Sequence, residues 1–313
     1  MMHADLSRLP QSALDPASDP AWLIHQLGLV LYIGTGAIFV LVMALVLYGV
    51  LSPPRRVDAR AWVIGGGIVF PVAVLTALFL YALHVGHALS VAPARAADIE
   101  VTGRMWWWDV RYNDAPSGAA VALANELYIP VGRPVEVALR TRDVIHSFWV
   151  PALAGKVDMI PGRTNRLVLH AREAGTFRGQ CAEYCGMQHA WMALHVVAVP
   201  ENEYRAWLER QAAPAREPDD ARLRRGRDLL LRENCDTCHT IRGTRAAGTL
   251  GPDLTHVGSR SSLGAGRLDN SVATLAAWIA GSQSIKPGNL MPSYTAYSGE
   301  ELRLVAAYLA SLK

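Results

Sequence analysis

Cys181-Ala-Glu-Tyr-Cys-Gly-Met-Gln-His-Ala-Trp-Met192 sets two thiols, an imidazole and a closing thioether in one short stretch. Packing alone rarely calls for so many soft metal ligands together. Thiolate, imidazole and thioether select copper over magnesium or calcium, and a His/Cys set with a weak Met is how proteins hold copper that carries electrons. Two cysteines are one more than a mononuclear blue-copper site uses. If both are thiolates bridging two coppers, their negative charges leave a mixed-valence pair near +1, and one electron spread over both metals barely disturbs the bond lengths. The plainer readings of the cysteine pair are a zinc half-site or a disulfide. Zinc wants a second Cys/His pair at similar spacing and has no use for Met192. A disulfide removes the ligands that make His189 and Met192 intelligible.

Such a centre needs another histidine from elsewhere in the chain. Val144-Ile-His-Ser-Phe-Trp-Val-Pro151 offers His146 at the end of an apolar run, where a strand meets a loop. The pattern C-x-E-x-C-G-x-x-H-x-x-M, preceded by H-S-F-W-V-P and by Asp158-Met-Ile-Pro-Gly-Arg163, resembles subunit II of the haem-copper cytochrome c oxidases. The resemblance implies a binuclear copper centre with Cys181, Cys185, His146, His189 and Met192 as side-chain ligands. It further implies that Glu183 gives its backbone carbonyl to copper and its carboxylate to a magnesium ion at the border with subunit I, a hard oxygen for a hard cation.

With 313 residues, 51% of them hydrophobic and 18% charged, the chain is long enough for two soluble domains plus membrane segments and too apolar for disorder. A net charge of +3 decides little, and without a long Lys/Arg run or basic helix a nucleic-acid partner is set aside. The cysteines fall in two close pairs, Cys181/Cys185 and Cys235/Cys238, each with a chemistry other than a disulfide framework.

Residues 1–21 read as an exposed N-terminal arm, too acidic for a cationic signal-peptide start. Residues 22–97 read as a transmembrane hairpin. The charge-free run 27–51 reaches roughly 37 Å as a helix, against a hydrocarbon core of about 30 Å. A cleaved signal is the competing reading of that run, but it is long and ends in Pro53-Pro-Arg-Arg56 instead of small residues. The second run, 61–89, tolerates Gly65 to Gly67 and Pro71 because neighbouring helices satisfy freed backbone in lipid. Arg55, Arg56 and Arg60 in the connecting loop, against Asp58, place that loop in the cytoplasm. The N-terminus and everything after residue 90 then lie outside, on the periplasmic side of a bacterial inner membrane.

Short Val- and Leu-rich runs separated by Gly, Pro, Asn and Asp make residues 98–210 an all-β sandwich. The resemblance makes it a cupredoxin-like Greek key. Met105-Trp-Trp-Trp-Asp-Val-Arg-Tyr112 opens a strand with adjacent tryptophans, and alternation pushes at least one indole outward. In the family the first tryptophan of the cluster receives the incoming electron, which by position is Trp106.

Residues 211–218 form a linker, and 219–313 a further domain. There Cys235-Asp-Thr-Cys-His239 is the covalent haem c attachment motif, with Cys235 and Cys238 bonding the haem edge and His239 ligating iron. A thioredoxin-like redox pair is the alternative to it. Against that stand the turn Gly251-Pro-Asp-Leu254, the Asn289-Leu-Met-Pro292 segment and an amphipathic helix from Glu300 to Leu312. That layout is similar to an all-α class I cytochrome c and makes Met291 the second axial ligand, with His256 as its rival.

Together these features resemble a caa-type oxidase subunit II. The resemblance implies electron transfer from cytochrome c or another donor through haem c and copper to an oxygen-reducing subunit I, within a complex of further subunits and lipid. This chain carries no apparent oxygen-reducing site of its own. The corresponding subunit of a copper-containing nitric oxide reductase shares every motif quoted, and a membrane-anchored copper-binding or assembly protein is a reading from another class. One position departs from the family. Many members carry Glu three residues before a Trp at a proton-channel mouth; here Ala59 stands three before Trp62, beside Asp58.

Overall fold

A computed structural model describes residues 11–53, 56–90, 97–113 and 121–313. The chain divides into one unit of residues 19–93 and another comprising the N-terminal segment and residues 94–313. Arg55 of the connecting loop and the first part of the arm lie outside the described residues.

The smaller unit is a pair of helices, α1 (Asp19–Leu51) and α2 (Ala59–Leu89). Both are apolar all round, with side chains such as Tyr32, Ile33, Leu75 and Phe79 exposed, as expected of helices whose solvent is lipid. They span 33 and 31 residues at mean hydropathies of 2.6 and 2.4, enough to cross a bilayer. Asp58 caps α2 by accepting the N–H groups of Arg60 and Ala61 at 3.0 and 3.2 Å, so its carboxylate is engaged at the helix start. The stretch Trp62–Val69 is π-helical around its three glycines, the wider winding that functional or strained helix segments adopt.

In the larger unit, two five-stranded sheets form a cupredoxin-like sandwich. The first runs β3-β2-β1-β5-β8, from Val121–Ala124, Trp107–Tyr112, Ile99–Arg104, Val135–Thr141 and Asn165–Leu169. The second runs β4-β10-β9-β6-β7, from Glu126–Pro130, Ala193–Val199, Gly175–Cys181, His146–Trp149 and Val157–Met159. Period-two alternation decides which side chains face inward. In β9 it buries Phe177, Gly179 and Cys181, so Cys181 ends an inward-facing row. Gly179 has no alternative, because a Cβ there would sit 2.6 Å from Leu194 Cδ2 and 2.9 Å from the Trp149 carbonyl. Helix α3 (Glu201–Ala212) closes the sandwich by stacking Trp207 on Tyr128, ring centroids 4.1 Å apart.

The C-terminal helical domain packs α4 (Ala221–Arg232) against α6 (Gly299–Ser311), with α5 (Val272–Ile285) beside them. The crossing is so close that a Cβ on Gly226 would lie 2.2 Å from the Leu304 carbonyl oxygen. Side chains start all three helices: Asp220 accepts the Arg222 N–H, and Ser271/Thr274 and Ser298/Glu301 form capping boxes.

One expectation changes. The arm is not exposed as a whole: Ser18 is fully buried, and Ala17 exchanges backbone hydrogen bonds with Ala152 and Arg172, which ties the segment to the sandwich. The linker is bonded to the helical domain. Helix α3 runs into it as far as Ala212, Arg242 donates to the Ala212 carbonyl at 2.9 Å, and the Ala215 N–H donates back to the Arg242 carbonyl at 2.8 Å.

Candidate copper and haem sites

The loop 182–192 is closed at its base by β9 and β10, where the Cys181 N–H donates to the Met192 carbonyl at 3.0 Å. Antiparallel pairing of β6 with β9 sets Phe148 opposite Cys181, which brings His146 alongside the start of the loop. The Ala182 N–H then donates to the Ser147 carbonyl at 3.0 Å and locks the register. The ligand candidates converge there. Cys181 Sγ lies 3.7 Å from Cys185 Sγ and 3.8 Å from His146 Nδ1, while Cys185 Sγ lies 3.6 Å from His189 Nδ1 and 3.9 Å from Met192 Sδ. The backbone carbonyl of Glu183 is 3.1 Å from Cys181 Sγ.

The sulfur separation is far beyond the roughly 2.05 Å of a disulfide, and less than twice the roughly 2.3 Å of a metal–thiolate bond. One metal ion can therefore reach both sulfurs. Each thiol also has its own imidazole, and with the thioether and carbonyl the donor set fits soft, electron-carrying copper. Asp143 Oδ1 sits 2.7 Å from His146 Nε2; a carboxylate accepts there, so Nε2 carries the proton and Nδ1 is left facing Cys181. Burial disfavours the charged ring, but the bonds to Asp143 and Cys181 outweigh it and raise the imidazolium pKa to about 9. The two thiols share charge unequally. The hydrogen bond from Cys185 holds Cys181 well below the usual thiol range, and the negative neighbour pushes Cys185 up.

The carboxylate of Glu183 is partly exposed and lies 3.8 Å from Lys156 Nζ, which also pairs with Asp158 at 3.0 Å.

Trp106 occupies the turn between β1 and β2 and is only 9% exposed, Trp108 is fully buried, and Trp107 is the indole that alternation turns outward, lying under the Arg104 guanidinium. One neighbour is the helical domain, where a Cβ on Gly288 would be in ordinary van der Waals contact with the Trp106 ring at 3.5 Å. On its other side Trp106 Nε1 donates to the Cys185 carbonyl at 2.7 Å, and Gly186, at φ +106°, lies against the same ring. Trp106 thus sits between the cysteine loop and the helical domain.

In that domain, the His239 N–H donates to the Cys235 carbonyl at 3.0 Å, closing one turn over Cys235-Asp-Thr-Cys-His239. Both cysteines are unpaired and half-buried. His239 Nδ1 faces the Pro252 carbonyl at 2.7 Å; a carbonyl only accepts, so Nδ1 carries the proton and Nε2 keeps its lone pair for iron. Burial lowers this imidazole's pKa, against the opposing pull of the bond to Pro252. Met291 Sδ accepts from Trp278 Nε1 at 3.2 Å. The neighbours of these two segments, Leu250 and Leu290, are 68% and 91% exposed, apolar surface that a haem macrocycle would cover. The residues fit haem c. His256 is turned away, its Nε2 bonded to the Ala213 carbonyl at 3.0 Å.

Comparison with known proteins matches residues 116–199 to the family described as cytochrome c oxidase subunit II, periplasmic domain, and residues 223–313 to cytochrome c. Cytochrome c oxidase subunit 2 of Branchiostoma floridae is 31% identical over 158 residues, covering 45% of this chain and 69% of that protein. The chain belongs to the cytochrome c oxidase subunit 2 family. Its counterpart in Alkalihalophilus pseudofirmus is 43% identical over 215 residues, covering 69% of this chain and 61% of that protein, so the match spans about three fifths of that relative. The Bacillus subtilis counterpart is 29% identical over 280 residues, covering 83% and 77%. The chain thus joins two apolar helices, a cupredoxin-like domain and a cytochrome c domain.

Sequence reasoning missed several residues of the site. Asp143 was legible in principle, as a carboxylate three positions before a candidate ligand histidine. Gly103, Gln188, Trp278 and Lys286 left no local signal. Gln188 Nε2 donates to the Pro287 carbonyl at 2.7 Å. Lys286 is 3% exposed and donates to three carbonyls. Burial and the nearby Arg267 pull its pKa down to about 7, while those carbonyls favour the ammonium form.

Proposed function

We propose that this chain is the electron-input subunit of a terminal respiratory oxidase. A haem c would be held by Cys235, Cys238, His239 and Met291, and two coppers by His146, Cys181, Glu183, Cys185, His189 and Met192. When bound, they would supply one-electron uptake and release between cytochrome c or a similar donor and an oxygen-reducing subunit I.

The chain's own residues do the rest. Asp143 and the Pro252 carbonyl each hold one ring proton of a ligand histidine, so the other nitrogen is aimed without rearrangement. Met192 and Phe148 pack the copper loop from below and exclude water. Trp106, bonded to the Cys185 carbonyl and covered by Gly288, gives a flat conjugated contact between the two domains, which supports its role as the residue through which the electron arrives. The charge pattern of the loop at Arg56, Asp58 and Arg60 favours a cytoplasmic loop with both domains on the periplasmic side.

The observation that carries the reading is the paired thiols at 3.7 Å, each beside an imidazole. Metal analysis of the purified chain is expected to find two coppers and one covalent haem, with a mixed-valence copper spectrum that Cys185→Ser abolishes. A single copper, or zinc, would sink the proposal. Isolation with its largest partner subunit tests oxygen against nitric oxide as the terminal acceptor.

A further inference from the structure

Lys286 follows directly on α5 of the cytochrome domain, yet its ammonium is spent largely on the copper domain. Nζ donates to the Trp106 carbonyl at 2.7 Å and the Trp191 carbonyl at 2.8 Å, both in the copper domain, and to the Gly264 carbonyl at 3.2 Å in its own. A buried ammonium is costly unless every donor is satisfied, and here three donors meet three carbonyls. If adhesion were the only need, an apolar side chain of similar volume would hold the domains at lower cost. Three directional bonds, together with the Gln188 donation to the Pro287 carbonyl, instead fix where the segment 286–288 sits, and Gly288 of that segment lies against the Trp106 ring.

The bonds around Lys286 also join into one connection. Trp278 Nε1 donates to Met291 Sδ at 3.2 Å. The Trp278 ring lies against Gly264, where a Cβ would meet it at 2.9 Å. The Gly264 carbonyl accepts from Lys286, which donates to the Trp106 carbonyl. Trp106 Nε1 then donates to the Cys185 carbonyl at 2.7 Å. Every step is a hydrogen bond, a covalent link or van der Waals contact, and the two ends are candidate ligands of haem and copper.

We propose that Lys286 is the positioning residue that seats the cytochrome domain on the copper domain and completes this connection from Met291 to Cys185. The proposal rests on the electron-input reading above. A separate contact lies at another place in the same interface, where the buried Glu126 carboxylate accepts the Ser261 N–H at 2.6 Å. It supplies adhesion that does not touch Trp106, and therefore a control.

The test uses the full chain in detergent, loaded with haem and copper. Lys286→Met keeps the stem and removes the donors; Lys286→Gln keeps two donors without charge, and reports if the first variant folds poorly. Flash reduction of the haem is expected to show haem-to-copper transfer slowed by at least about tenfold in Lys286→Met, the factor equivalent to about 1.4 kcal/mol of seating free energy. Lys286→Gln should be intermediate. Copper and haem spectra, and reduction of copper by a small diffusible reductant, should match the unaltered chain. Amide exchange over 103–108 should rise. Unchanged transfer in both variants overturns the proposal, as does Glu126→Gln slowing transfer equally, since that would make Lys286 one adhesive contact among several. An unaltered chain lacking the two-copper spectrum overturns the electron-input reading itself, a result separable from the other two.

Discussion

Gly103→Ala tests whether backbone packing, not only ligand chemistry, holds His146 in place. A Cβ at Gly103 would lie 2.8 Å from His146 Cδ2, 3.1 Å from Cγ and 3.3 Å from Cβ, closer than carbon atoms tolerate. Neither side yields cheaply. Gly103 sits in β1, paired with Trp108 on one flank and Thr141 on the other, and the fully buried imidazole is held by Asp143 at 2.7 Å. Overpacking of this kind costs about 1 to 3 kcal/mol. Because the ring must shift away from Asp143, copper affinity is expected to fall by about 10- to 100-fold, the usual cost of losing an outer-shell partner. The assay pairs denaturant unfolding of the metal-free chain with copper titration, for Gly103→Ala, His146→Ala and the double variant. With the imidazole gone the new methyl has room, so the double variant should cost clearly less than the sum of the two, a coupling of order 1 kcal/mol or more. Additive losses, or a Gly103→Ala chain with unaltered stability and copper affinity, would refute the packing argument.

Further tests address the other groups. Met291→Ala should leave haem covalently attached through Cys235 and Cys238 while lowering its potential; an unchanged potential and spectrum would return the role to His256. His195 is buried, and burial, with Arg178 nearby, lowers its pKa to about 4. The unfolded chain takes up that proton near pH 6.5 and the folded one near pH 4, so the imidazole's contribution is intact above about pH 6.5 and is lost on acidification towards 4, by about 3 kcal/mol at most. His195→Gln should flatten that part of the stability profile, and identical slopes would contradict it. Trp106→Phe keeps most of the packing but leaves the Cys185 carbonyl without its 2.7 Å donor. It should slow haem-to-copper transfer while preserving the copper spectrum, and a larger effect from Trp107→Phe would move the role to that residue.

What the amino-acid sequence determined by itself is what short spacing controls. Cys181 to Met192 is one loop between two strands, and Cys235 to His239 is one turn, so ligands that near in sequence have little freedom to part. The two apolar helices follow from composition, since charge-free runs of that length suit a lipid solvent. Capping residues Asp220, Ser271 and Ser298 were equally local. Tertiary structure decided the rest. His146 reaches the thiols only through the register of β6 on β9, and a slip of one residue would turn its side chain to the opposite face. Gly103 matters because β1 passes behind that ring, which nothing in its own neighbourhood announces. Alternation along the tryptophan run turns one indole, Trp107, outward, but that Trp106 lies between the cysteine loop and Gly288 of a domain far along the chain is a matter of tertiary contact. Nothing in the chain around Lys286 marks it out, and it is a buried cation only because two domains meet around it. Contacts between distant segments depend on how finished surfaces fit, and that fit is a property of the assembled chain, not of any window along it.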